Sequence, residues 1–135
     1  MTRENLISAA GQAAASLGYT LYDGDNLMTA VKTSGFPIAW LMPLKVVGTE
    51  GYRDCRVTYS LTVKLLMLND YKEESKHAVR QILERDAMDF ARILAACDTV
   101  RNVTDFTAEP VSIPLTHAGD IALEAKMNVE MFYCV

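Results

Sequence analysis

Two histidines, His77 and His117, and three cysteines, Cys55, Cys97 and Cys134, are the side chains of this sequence best suited to acid–base or nucleophilic work. Nucleophilic catalysis needs a base beside a Ser or Cys and a third group to orient that base. His77 stands among Glu73, Glu74, Lys76 and Arg80, the pattern of a solvated helix face, and His117 falls in a turn-like run with Thr116, Ala118 and Gly119. Neither is expected to be catalytic. The cysteines are odd in number, widely spaced and set among apolar residues, so they are expected as reduced, buried thiols rather than a disulfide framework. No His or Cys pair has zinc-ligand spacing, and Asp23, Gly24, Asp25 and Asn26 lack the remainder of a calcium loop. Gly48, Gly51 and Gly119 fall where hairpins turn, not in a phosphate-binding loop. No catalytic residue, metal site or cofactor is expected, and the chain is read as a non-enzyme.

What the sequence does offer is apolar association. Trp40, the single tryptophan, is flanked by Ile38, Leu41, Met42 and Leu44, so a strand through it is apolar on both faces. Proline has no N–H to donate and is confined to sheet edges, and Pro37 and Pro43 share parity, which places this strand at an edge. An edge strand apolar on both faces must be covered, by the chain's own first helix and short β ribbon or by a neighbouring subunit. The candidate subunit interface is therefore Trp40, Met42 and Leu44, with Gly48, Glu50 and Tyr52 from the turn that follows.

The elements that must position these residues follow from periodicity. Leu6, Ala10, Ala13, Ala14 and Leu17 share one stripe of a helix over 2–17, and Gly18 supplies a left-handed stop. Short strands over 19–22 and 27–31 form a ribbon, followed by a long hairpin of 37–47 and 53–68 turning at Gly48 to Gly51. The second arm alternates cleanly and is long enough for part of the hairpin to project. A second helix from about 69 to 97 turns Val79, Ile82, Leu83, Phe90, Ile93 and Leu94 inward, with Asp86 and Asp89 facing water. A closing hairpin pairs 108–115, an edge guarded by Pro110 and Pro114, with 120–133.

The expected fold is α+β: a two-layer sandwich with a mainly antiparallel ββαββ sheet, two helices on one face, and a single domain over 1–135. The other sheet face, with Arg56, Thr58, Ser60, Thr62, Lys64, Glu124, Lys126, Asn128 and Glu130, is expected to be uncovered. A net charge of −4 and scattered Lys and Arg give no footprint for a phosphate backbone, so direct nucleic-acid binding is not expected. The longest apolar stretch, 36–44, falls short of the ~20 residues a membrane-spanning helix needs. No secretion signal is evident at the N-terminus, which points to the cytoplasm.

The order of these elements, an N-terminal amphipathic helix, a long hairpin whose second arm ends at Leu68, a helix from Tyr71 to Cys97 and a closing hairpin ending at Phe132 to Val135, resembles the tail-terminator and head–tail joining (neck) proteins of tailed bacteriophages. The resemblance spans nearly the whole chain and rests on element order and size, with no short motif. It implies a non-enzymatic virion protein that forms a ring, commonly a hexamer, and contacts neighbouring virion proteins. Two other readings stand beside it. One is a small adaptor domain of a bacterial or mobile-element system that uses the polar sheet face and is a monomer or dimer. The other is a ferredoxin-like ligand-binding domain with an apolar pocket near Trp40, Tyr59 and Tyr133.

Overall fold

The computed structural model describes residues 2–23, 37–50, 56–68, 73–111 and 120–132. They form two helices and a six-stranded mixed sheet, an α+β architecture. Helix α1 covers Thr2–Ser16 and α2 covers Glu73–Ala95; the strands are β1 Thr20–Asp23, β2 Ile38–Leu41, β3 Lys45–Glu50, β4 Arg56–Leu68, β5 Val100–Val111 and β6 Asp120–Phe132. The spatial order is β1-β2-β4-β6-β5, with β3 pairing β4 off that path.

The two strands with clean alternation lie at the centre. β4 and β6 pair antiparallel along their whole length, from Arg56 opposite Phe132 to Leu68 opposite Asp120. Their odd-numbered residues, including Val57, Leu61, Val63, Leu65, Met127, Val129 and Met131, share one hydrophobic cluster with both helices. Helix α1 contributes Leu6, Ala9, Ala10, Ala13 and Ala14, and α2 contributes Val79, Leu83, Ala87, Phe90 and Leu94. The small residues of α1 let its backbone lie close to β1: a Cβ on Gly11 would stand 3.5 Å from Leu21. α1 ends as its sequence requires. Gly18 takes φ +85°, and the N–H of Tyr19 bonds back to the Ala14 carbonyl at 2.9 Å, the six-to-one contact of a Schellman cap.

Several expectations need correction. The strand over 37–47 is two strands, β2 and β3, separated by a break at Met42, Pro43 and Leu44. β2 is not an edge, because β1 adds to it in parallel, Tyr22 opposite Trp40. Pro37 precedes β2 and lends its carbonyl to the Thr20 N–H at 3.0 Å, and Pro43 sits in the break, so neither proline blocks a ladder bond. The expected strand over 27–31 lies outside the described residues. β4 does not outreach the sheet, since β6 matches it residue for residue.

β5 begins at Val100, well before the expected start at 108. It is an edge, as expected, and is irregular: one register shift falls between Val100 and Asn102 and another between Thr104 and Thr107. Asp105, in the second bulge, takes φ 55° and accepts a hydrogen bond from Asn128 Nδ2 at 3.0 Å. On α2, Ile82 is exposed rather than inward, and Ala87 takes a core position instead. Asp86 does not simply face water: it accepts a bond from a buried tyrosine, Tyr19.

Candidate functional site

The described residues of the sequence-derived interface do not form one surface. Trp40 is buried on the sheet face opposite the main core, where Ile38, Leu66 and Ala122 join it in a second cluster, and Met42 and Tyr22 pack against that cluster. The Lys64 ammonium lies 5.0 Å from the Trp40 ring centroid, a cation–π contact between β4 and β2. Leu44 points the other way, into the main core. Its carbonyl accepts a hydrogen bond from Arg3 Nη2 at 3.0 Å, which ties the start of α1 to the break between β2 and β3. Gly48 is exposed in β3, Glu50 closes that strand opposite Arg56, and Tyr52 lies outside the described residues. Trp40 and Leu44, which are buried, and Met42, which is half-buried, are thus separated from the exposed part of the hairpin.

Among the described residues of β3, Val46 and Val47 are exposed, at 49% and 48%. A register shift between Val46 and Gly48 places both valines near Tyr59 of β4, so two side chains stand where a regular strand would have one. Among the described residues β3 pairs only with β4. The sequence carried a signal for this surface: a Val-Val doublet beside Gly48 breaks the alternation of its strand.

The sheet face away from the main core divides in two. Around Trp40 it is apolar and buried. Farther along, Thr58, Ser60, Thr62, Asn128 and Glu130 are half-buried among one another, and Lys126 is exposed. Glu130 is paired with Arg101 of β5. Among the described residues the face is therefore polar around Ser60 and Asn128, as expected, and apolar around Trp40.

A third feature is an open cleft of about 380 Å³ where α1 meets the turn from α2 into β5. Asn5, Ser8 and Gln12 line it from one stripe of α1, and Cys97, Asp98 and Thr99 line it from the turn. Cys97 is half-buried, with its thiol 3.5 Å from the Ile93 carbonyl oxygen. Nothing in the sequence pattern signalled this cleft, because its two walls are about ninety residues apart in the chain.

Tyr19 fixes the geometry of this helical layer. Its hydroxyl donates to Asp86 Oδ2 at 2.6 Å, joining the end of α1 to the middle of α2. Burial, and then the Asp86 carboxylate, push the phenol well above its ordinary range, so it stays protonated as a donor.

Trp40 and Tyr59, two of the three residues expected around a ligand pocket, lie in different clusters, and Tyr133 lies outside the described residues. His117, Cys55 and Cys134 also lie outside them, and of His77 only the backbone, within α2, is described. Among the described residues no group of His, Cys, Asp and Glu could hold a metal ion, and no helix is long and apolar enough to cross a membrane. Comparison with protein-family models and with curated proteins finds no match.

Proposed function

We propose that this chain is a non-enzymatic structural protein that assembles with copies of itself, as a ring component of the tail-terminator or neck type in a tailed bacteriophage. The observation that carries self-association is the pair Val46 and Val47, about half exposed on a strand whose outer edge has no partner among the described residues. Adjacent exposed valines on an open strand edge are a surface that soluble chains ordinarily cover. The element order, with both helices sharing one cluster with β4 and β6, supports the finer reading as a ββαββ two-layer sandwich of the expected kind. A place in the virion, next to other virion proteins, follows from this reading. The adaptor reading is favoured by a different observation, the half-buried rows of Thr58, Ser60, Thr62 and Asn128 on the sheet face without helices.

Light scattering behind size exclusion, at several protein concentrations and two salt concentrations, separates the two. The ring reading predicts a closed oligomer whose mass falls in the double variant Val46→Thr, Val47→Thr while the melting temperature holds. A chain that stays monomeric at every concentration refutes self-association and puts the adaptor reading first.

A further inference from the structure

We infer that β3 pairs antiparallel with β3 of a second copy of this chain, across a twofold axis beside Gly48, so that Lys45 of each copy stands opposite Glu50 of the other. The inference rests on the self-association proposed above and specifies its contact.

The bulge decides the register. Lys45 and Glu50 differ in parity, and in a regular strand they would stand on opposite faces. The shift between Val46 and Gly48 adds one residue, so Lys45 pairs with Ser60 and Glu50 with Arg56, both even-numbered positions of β4. The two ends of β3 therefore lie on one face and carry opposite charge. Strands related by a twofold axis normal to the sheet run antiparallel and keep their faces, so residues set opposite each other must share a face. Laid against its own copy, β3 meets that condition. Lys45 falls opposite Glu50, Val46 opposite Thr49, which pair with Tyr59 and Val57 on the other face, and Val47 opposite Gly48. A lysine and a bulge on an edge strand often keep other chains away. Here both suit an identical strand, because the bulge aligns the faces and the lysine meets a glutamate.

Gly48 is an independent sign that a backbone approaches. Glycine weakens the interior of a strand, and it is found there where the chain turns left-handed, as in one class of bulge, where room is short, or where another backbone comes close. The fold supplies neither of the first two reasons: Gly48 has no positive φ, and a Cβ built on it would meet no atom within 4 Å. It is exposed on a strand that, among the described residues, pairs only with β4. Val46 and Val47, about half exposed beside it, lose that exposure when a second β3 is added. A twofold contact closes on two copies, so a ring that contains it alternates it with another contact and has an even number of subunits.

The test reverses the charge at one end of β3, with Lys45→Glu or Glu50→Lys in the full chain. Either variant alone sets like charges opposite each other at both ends of the pair. Each is expected to weaken association about tenfold in analytical ultracentrifugation at low salt, with the circular dichroism spectrum unchanged. An equimolar mixture of the two is expected to regain the parent's affinity, and so is the double variant Lys45→Glu, Glu50→Lys. Gly48→Cys, at a position with room for a side chain, is expected to give a disulfide-linked pair on mild oxidation that the parent, with its own cysteines, does not give. Absence of the rescue or of the cross-link in a chain that assembles overturns the twofold contact and leaves the assembly reading standing. A chain that is monomeric at every concentration overturns both.

Discussion

Replacing Tyr19 by Phe removes one hydroxyl and nothing else, and the structure sets both the size and the pH dependence of the effect. The bond lost is a 2.6 Å contact to the Asp86 carboxylate, and hydrogen bonds to charged groups contribute about 1.5–3 kcal/mol. Asp86 is only half-buried and regains water when the phenol is gone, so the lower end applies, about 1.5 kcal/mol. For a chain of this length that is a fall in melting temperature of about 4–6 °C at neutral pH. The pH dependence follows from the raised pKa of Tyr19 in the fold. Below pH about 10 the phenol is protonated in both states, and its contribution is constant. Above that pH the unfolded chain loses a proton that the folded chain keeps, so stability falls by about 1.4 kcal/mol for each pH unit. The Phe variant lacks this slope, while the remaining tyrosines contribute equally to both proteins. The difference between the two should therefore hold from pH 7 to 9, close near pH 11 and reverse beyond it. Urea unfolding of both proteins across this range gives the answer. A constant gap up to pH 11 would show that the phenol is not held protonated by the fold, and no gap at pH 7 would remove the bond itself from the account.

Substitutions at two further positions test the backbone. Gly18→Ala places a Cβ at φ +85° with no atom within 4 Å to clash with, so its cost is the left-handed backbone alone, about 1 kcal/mol in denaturant unfolding. At Asp105, φ 55°, a change to Val should cost about 2 kcal/mol from backbone strain together with loss of the Asn128 bond, whereas Asp105→Gly relieves the strain and should come within about 0.5 kcal/mol of the parent.

The parts of this fold legible in the sequence are those where burial imposes a period. β4 and β6 each bury one face against two helices, so every second residue from Val57 to Leu65 and from Ile121 to Met131 is apolar, and both strands could be placed in the centre of the sheet. Gly18 was legible for a local reason, since a helix end needing a positive φ leaves little choice of residue. The start of β5 was not legible. From Val100 to Thr107 it is an edge with two bulges, and its core-facing residues Val100, Val103 and Phe106 stand three apart, so no period of two marks it as a strand. The parallel pairing of β1 on β2 left no mark either, because a parallel neighbour needs no tight turn and its partner is set by tertiary packing.

The expected edge position of the strand through Trp40 fails for a related reason. The parity rule for prolines is sound for an unbroken strand, but Pro43 lies in a break and Pro37 one residue before β2, so the rule was applied to a ladder that does not exist there. Once β2 is interior, an apolar residue on each of its faces is what burial on both sides requires, with Ala39 and Leu41 in the main core and Ile38 and Trp40 in the second cluster. Trp40 then needs no neighbouring subunit to explain it. The exposed apolar pair lies instead on β3, which lacks a second strand among the described residues and shows two valines at its surface. On the proposed reading, the surface for a partner is therefore six residues beyond the one the hydrophobicity first suggests. On the same reading, a substitution at Trp40 tests folding, and one at Val46 and Val47 tests assembly.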